Sequence, residues 1–378
     1  AWQELTEFVL SDLGLANYHP YPLDRGQRLF STREEIDEYL ALDALKEVYK
    51  LATTEADIGT VLAVARLLDG DACGPVAGAR RDRLRNRVAR QLERFDAVAE
   101  AEALYAASGQ HPARERRARL LVARGDYQSA LGLCEAIRAE PWCEAEVDFA
   151  ARQLPTLHKR LGRDHPPRGR DRDRFDEDSL ELPFSQPVEA AAAAHYAGHW
   201  PEVHYVENML FNGGFGLAFW EQIFAPVPGA FVNPFQAAPL DMYSRDFHAA
   251  RREDIDRRLA ALEQVDLSVE LLGAFDRHLG TTNSWVAWRG LDRALLAAAL
   301  ATIPRAHWLA IWRRILFDPE SNRNGFPDLI ALDPGRGYCL VEVKGPGDQL
   351  QLNQRRWLRF FQARGVPARV ARVRWRDD

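Results

Sequence analysis

Two short β-rich runs near the end of the chain constrain its fold more than any other feature. PDLIAL (residues 327–332) and YCLVEVKG (residues 338–345) are joined by DPGRG (residues 333–337), a strong turn signal. These runs predict a β-hairpin. We expect a helix from about residue 348 to residue 364, and a further strand in ARVARVRW (residues 368–375). The C-terminal part is therefore predicted to be α/β.

The predicted hairpin brings charged side chains together. Pairing symmetric about Gly335 sets Asp328 opposite Glu342, with Cβ atoms about 5 Å apart. Carboxylates that close repel each other unless a cation lies between them, and their oxygens suit Mg²⁺ or Mn²⁺. Lys344 shares the strand face of Glu342 and could activate water or neutralise phosphate charge. This is the PD-(D/E)xK pattern of restriction-endonuclease-like nucleases, and its place on the hairpin favours that chemistry over a chance cluster of charges.

Most of the remaining chain is predicted to be helical. A Gly-Asp-Tyr break at residues 125–127 lies between two amphipathic segments, which is typical of tetratricopeptide-like helix pairs. The segment from 163 to 187 mixes proline, glycine and dense charge, which favours a charged linker or surface loop. The predicted parts are a tetratricopeptide-like, DNA-positioning helical domain (1–162), the linker (163–187) and an α/β nuclease domain (188–378) with a helical lead-in (188–317) and a β-rich catalytic core (318–378).

Composition narrows the class of protein. The sequence contains no run of eighteen apolar residues and no secretion signal, so we expect neither a membrane span nor export. It also lacks a starting Met, which suggests a piece of a longer protein. The net charge of −6 argues against a simple nucleic-acid coating protein but allows an enzyme with local basic strips. The cysteines are expected to be reduced core thiols of an intracellular protein: Cys73, Cys134, Cys143 and Cys339.

Arginine-rich helix faces are candidates for binding DNA phosphates. Spacings of three and four place five arginines on one face of a predicted helix. They are Arg80, Arg83, Arg87, Arg90 and Arg94. A second cluster competes for this role, and either cluster could bind a terminal 5′ phosphate. Its members are Arg114, Arg116, Arg117 and Arg119. In the C-terminal helix, Gln354 could face the metal site, and Arg355 and Arg359 could contact phosphate. A solvated helix face is the alternative for all these arginines.

The sequence resembles a known nuclease family over about half its length, roughly residues 188–376. GFPDLIAL and YCLVEVKGPGDQLQLNQRRWL resemble the virus-type replication-repair nuclease (VRR-NUC) domain. VENMLFNGGFGLAFWEQIFAPVPGAFVNPFQAAPLDMY resembles the segment that precedes this domain in the Fanconi-associated nuclease family. The resemblance matches the motif Asp to Asp328 and the motif Glu and Lys to Glu342 and Lys344. It also matches an upstream acidic residue, on a helix, to Glu207, and it implies that the three carboxylates hold two Mg²⁺ or Mn²⁺ ions.

The resemblance implies a structure-selective DNA nuclease of interstrand-crosslink repair. Such an enzyme cuts 5′ flaps and digests DNA from a 5′ end, so flapped, branched or nicked duplex is the expected partner. The sequence has no Cys/His finger, which suggests either a bacterial-type member, in the cytoplasm or nucleoid, or a truncated chain. It also has no clear SAP-type DNA-binding segment. The alternatives are a dimeric Holliday-junction resolvase, a catalytically inactive helical DNA-binding scaffold and a phosphodiesterase of small nucleotides. The sequence indicates no protein partner.

Overall fold

The computed structural model describes residues 2–72, 74–164 and 173–376. The chain divides into two compact units. One unit spans residues 28–170, and the other combines residues 1–27 with residues 171–378. We call them the helical unit and the nuclease unit.

The first 27 residues belong to the nuclease unit, which differs from the predicted helical domain at 1–162. They contain helix α1 (Trp2–Asp12) and strand β1 (Asn17–Tyr18). Strand β1 pairs in parallel with residues 281–282, and the ring of Tyr21 stacks on Phe231 with centroids 3.9 Å apart. These contacts join residues distant in sequence, so local helical patterning could not reveal them.

The helical unit consists of successive helices joined by short turns. Its helices are α2 (Arg33–Thr54), α3 (Ile58–Leu67), α4 (Pro75–Arg94), α5 (Val98–Ala107), α6 (Ala113–Ala123), α7 (Tyr127–Ala139) and α8 (Glu144–Arg160). Aspartates cap the N-termini of two of these helices. The Asp57 and Asp126 carboxylates accept hydrogen bonds from backbone N–H groups in the first turns of α3 and α7. Apolar side chains form one core among α2–α6 and another among α6–α8. The predicted helical character of this region is confirmed.

The nuclease unit is built on a mixed five-stranded sheet. Its further elements are β2 (Asp176–Leu182), α9 (Val188–Ala197), β3 (Glu202–Tyr205), α10 (Leu210–Ala218), α11 (Trp220–Ile223), α12 (Arg245–Ala250), α13 (Arg252–Leu262), α14 (Leu267–His278), β4 (Thr281–Thr282), α15 (Arg293–Thr302), α16 (Arg305–Phe317), α17 (Pro319–Asn322), β5 (Leu329–Asp333), β6 (Gly337–Lys344), α18 (Leu352–Arg364) and β7 (Ala368–Trp375). The strand order is β2-β7-β6-β5-β3. Strands β2, β7 and β6 run parallel, and β6, β5 and β3 pair antiparallel.

Strand β2 corrects the prediction of a linker or surface loop at 163–187. Its seven residues pair with β7, and two of its leucines, Leu180 and Leu182, are buried. The acidic residues that suggested a linker instead pair with basic residues of β7. Glu177 binds Arg372 at 2.9 Å, and Asp178 binds Arg369 at 2.9 Å. Residues 165–172 of the predicted linker lie outside the described residues.

Helices cover both faces of this sheet. Helix α9 packs on the face formed by Leu329, Val341 and Val343. The opposite face carries Ile330 and Leu340, which belong to a large core shared with α10, α15, α16 and α18. Most of the sheet is therefore shielded from water, and polar side chains that point inward near its end are buried.

Two further observations concern the described residues. None of their helices is by itself long and apolar enough to cross a membrane, and α15 with α16, which pass such a test as a pair, are bent by 112° between them. Cys134 and Cys339 are buried free thiols, Cys143 is partly buried, and Cys73 lies outside the described residues.

Candidate active site

The β5–β6 hairpin has the predicted register. Leu329 pairs with Val341 and Asp333 pairs with Gly337, so the hairpin is symmetric about Gly335. Continuing this register by one residue places Asp328 opposite Glu342. The turn residues and the alternation of the strands were sufficient to predict this pairing.

The three charged side chains of the motif are buried at this end of the hairpin. Asp328 is 7% exposed, Glu342 is 0% exposed and Lys344 is 9% exposed. Asp328 Oδ2 accepts a hydrogen bond from the Val343 N–H at 2.7 Å, and Lys344 Nζ lies 2.8 Å from Glu342 Oε1. Neither Glu342 oxygen receives a hydrogen bond of normal geometry from any described residue. Buried carboxylates with so few donors need positive charge nearby.

The pKa values of Asp328 and Glu342 reflect this need for nearby positive charge. Burial raises the pKa of Asp328 to about 6, although the Val343 N–H opposes the rise. Burial raises the pKa of Glu342 to about 8, and the negative charge of Asp328 adds to the effect. Lys344 opposes both rises, and Glu207 adds to both. A cation between the carboxylates would stabilise their ionised forms.

Glu207 lies near this pair, but in the turn between β3 and α10 and not on a helix as predicted. The Val206 N–H donates to the Asp328 carbonyl at 2.8 Å, which extends the β3–β5 ladder and fixes the turn beside the hairpin end. The Glu207 carboxylate accepts hydrogen bonds from the Tyr205 hydroxyl and from Asn208 Nδ2. Sequence analysis did not single out Tyr205 or Asn208, because Glu207 itself carried no local signal.

The residues present suit a hard divalent cation. Across the described ranges, no three His, Cys, Asp or Glu side chains form a cluster that could hold a metal ion by themselves. The candidate site instead offers two buried carboxylates, Asp328 and Glu342, with Glu207 beside them. Mg²⁺ is commonly bound by one or two carboxylates together with water and substrate phosphate. All the ligand atoms that these side chains offer are oxygens, and the Glu342 oxygens accept no hydrogen bond of normal geometry. Both features fit Mg²⁺ or Mn²⁺.

The residues predicted on α18 have other contacts. Gln354 Oε1 accepts a hydrogen bond from the Gln351 N–H at 2.9 Å, so this side chain caps the start of the helix. Arg359 binds the Asp173 carboxylate at 2.6 Å, and Arg355 lies 3.7 Å from the same carboxylate. Their charge is thus partly neutralised within the chain.

The arginine stripe on α4 is divided in the structure. Arg80 pairs with Asp43, Arg90 pairs with Glu93, and Arg94 donates to the Gln91 side chain. Arg83 and Arg87 are exposed one turn apart, and neither forms an ion pair with a described residue. Arg94 is likewise exposed and has no ion pair with a described residue, so Arg83, Arg87 and Arg94 remain available to an external anion, and Arg83 and Arg87 are the adjacent two.

The second arginine cluster is bound by glutamates. Arg114 pairs with the fully buried Glu146. The other members also pair with glutamates: Arg116 with Glu93, Arg117 with Glu102 and Arg119 with Glu115. A role in holding α6 to its neighbours accounts for most of this cluster, which weakens its assignment as a phosphate pocket.

Comparison with known proteins gives a match to the C-terminal part of the chain and matches to nearly its whole length. The VRR-NUC domain family matches residues 264–375. A Fanconi-associated nuclease 1 homolog of Pseudomonas aeruginosa is 37% identical over 384 residues, covering 100% of this chain and 67% of the relative. A homolog of Oryza sativa is 33% identical and covers 49% of this chain and 20% of the relative. The crystal structure of paFAN1 bound to DNA with a 2-nucleotide 5′ flap and a gap has a TM-score of 0.78 at 36% identity, covering 99% of this chain and 68% of that chain.

Proposed function

The chain belongs to the Fanconi-associated nuclease family, and we propose that it is a metal-dependent nuclease that cuts DNA at 5′ flaps. The buried Asp328–Glu342 pair with Lys344 carries this proposal, because a structural role offers no reason to bury two opposed carboxylates with so few donors. The crystal structures of paFAN1 with 1-nucleotide and 2-nucleotide 5′ flaps support the substrate. The DNA-repair role that the family resemblance implies would place the protein inside the cell.

Asp328, Glu342 and Glu207 would hold Mg²⁺ or Mn²⁺ ions, two if all three carboxylates take part. When bound, the ions supply an acidified water and offset charge on the attacking and leaving oxygens. The Val343 N–H binds Asp328 Oδ2, which leaves Asp328 Oδ1 for the metal ion. Lys344 holds its ammonium against Glu342 Oε1, where it can orient the attacking water and balance phosphate charge. Packing of the sheet by helices excludes bulk water from this pair.

We also propose that the tetratricopeptide-like helical unit positions the DNA. Arg83 and Arg87 would contact the phosphate backbone, which fixes orientation without reading sequence. The 5′-to-3′ exonuclease activity and the role in interstrand-crosslink repair, both implied by the resemblance, belong to the same proposal.

Cleavage of an end-labelled 5′-flap duplex in Mg²⁺, Mn²⁺ or EDTA tests the proposal. Asp328→Asn and Glu342→Gln should abolish metal-dependent incision near the flap junction while keeping DNA binding. The matched control is Asp333→Asn, at the other end of β5, where the side chain accepts from the Gly335 N–H in the turn. Cutting that survives both substitutions, or that needs no divalent ion, would refute the proposed site. Paired incision of a four-way junction by a dimer would favour the resolvase alternative.

A further inference from the structure

We propose that Asn208 is a positioning residue that fixes the Glu207 carboxylate relative to Asp328. This inference rests on the proposed function, because it takes Glu207 to be a metal ligand. Asn208 Nδ2 donates to Glu207 Oε1 at 3.2 Å. Asn208 Oδ1 accepts from the Phe326 N–H at 3.3 Å, two residues before Asp328. One amide therefore bridges the Glu207 turn and the segment that leads into β5.

The two contacts determine which kind of side chain position 208 requires. A carboxylate can only accept a hydrogen bond and a backbone N–H can only donate one, so the bridge needs a donor and an acceptor on one short side chain. The amide of Asn208 supplies both. Aspartate would keep the bond from Phe326 but would place a second negative charge against Glu207.

The backbone at Asn208 also favours this residue. Its φ is +52°, in the left-handed region that asparagine and glycine adopt most easily. The Asn208 carbonyl accepts a hydrogen bond from Asn212 Nδ2 at 2.9 Å, and the same Nδ2 donates to the Arg323 carbonyl at 2.7 Å. Asn212 lies in the buried helix α10. Asn212 therefore fixes the backbone of this turn, and the Asn208 side-chain amide is directed at Glu207.

Glu207 is consequently tied to Asp328 by two routes. The backbone route is the bond from the Val206 N–H to the Asp328 carbonyl, and the side-chain route runs through Asn208 and Phe326. Hydrogen-bond partners of ligating carboxylates orient them, and removing such a partner typically weakens metal binding about 10- to 100-fold. The Tyr205 hydroxyl contacts the other Glu207 oxygen, but Tyr205 is half exposed and its hydroxyl forms no second hydrogen bond to a described residue, so this side chain does not link Glu207 to the Asp328 segment.

The test measures Mn²⁺ binding to DNA-free protein by calorimetry or electron paramagnetic resonance, together with thermal unfolding. Asn208→Gly keeps the left-handed backbone and removes the amide that bridges Glu207 and Phe326. This variant should bind Mn²⁺ about 10- to 100-fold more weakly. The matched control is Asn86→Ala in the helical unit, which removes a buried amide that donates to the Gln110 and His111 carbonyls and has no contact with the Glu207 turn. It should unfold at a lower temperature yet bind Mn²⁺ as the unmodified chain does.

A double-mutant cycle separates the possible results. If Asn208 acts through Glu207, adding Asn208→Gly to Glu207→Gln should weaken Mn²⁺ binding no further. Additive losses, or normal Mn²⁺ affinity in Asn208→Gly, would overturn the positioning role and leave the proposed function intact. Normal affinity in Glu207→Gln would remove Glu207 from the metal site, which contradicts that part of the proposed function and this inference with it.

Discussion

Replacing Glu342 with glutamine should change how stability depends on pH. In the folded chain the pKa of Glu342 is raised from its usual 4.5 to about 8 by burial and by Asp328. The unfolded chain thus loses this proton near pH 4.5, whereas the folded chain keeps it to about pH 8. Since the folded state binds more protons between these values, the free energy of unfolding falls as pH rises through this window.

The size of the effect follows from the pKa. One pKa unit corresponds to about 1.4 kcal/mol, so the rise of Glu342 corresponds to about 5 kcal/mol, of which about 4 kcal/mol falls between pH 5 and pH 8.5. Glu342→Gln cannot ionise and should escape this loss. The variant should be close to the unmodified chain in stability at pH 5 and several kcal/mol more stable at pH 8.5, both measured in EDTA.

Urea denaturation followed by tryptophan fluorescence is the assay. Trp142 is the single tryptophan among residues 28–170, so the other nine of the ten report on the nuclease unit. Saturating Mg²⁺ should restore the unmodified chain at pH 8.5 and have little effect on Glu342→Gln, because a ligand stabilises only the state that binds it. A stability difference that stays constant from pH 5 to pH 8.5 would refute the reasoning.

Three further predictions concern the catalytic lysine, a glycine beside the hairpin and the arginines of α4. Lys344→Met should lower the cleavage rate about 100-fold or more while flap binding in Ca²⁺ persists, since the substitution removes a transition-state contact; comparable losses of both would contradict that role. Gly325→Ala should cost about 1–3 kcal/mol in urea denaturation, because φ is +90° and the added Cβ would lie 2.8 Å from the Asn353 carbonyl carbon; unchanged stability would be the contrary result. Arg83→Ala with Arg87→Ala should reduce the slope of log affinity for flap DNA against log salt by about two, and an unchanged slope would exclude both as phosphate contacts.

Local patterns were sufficient for the hairpin and its charged residues. The turn at residues 333–337 fixes the register, and strand alternation then decides which side chains share a face, so Asp328, Glu342 and Lys344 could be grouped from sequence alone. Glu207 was different. It joins the site through the long-range bond between the Val206 N–H and the Asp328 carbonyl, and only family resemblance pointed to it.

Strand β2 shows why the edge of the sheet could not be predicted. Its sequence alternates acidic and apolar residues only at its end, and its partner β7 lies about 190 residues later in the chain. Parallel pairing at that distance has no local turn to mark it. The same acidic residues that make a segment soluble as a linker also satisfy the arginines of a neighbouring strand, so composition alone could not separate the two outcomes.

The arginines of α4 show another limit of prediction from sequence. Their spacing shows which side chains share a helix face, but it does not show which carboxylates already neutralise them. Five arginines on α4 predicted one continuous stripe. Asp43 on α2 binds Arg80, and Glu93 on α4 itself binds Arg90. Arg83, Arg87 and Arg94 have no ion pair with a described residue. Exposed arginines without a carboxylate partner are better placed to neutralise DNA phosphates than arginines already paired within the unit. Arg90→Ala is therefore the matched control for the salt-dependence experiment: its guanidinium pairs with Glu93, and removing it should leave the slope nearly unchanged.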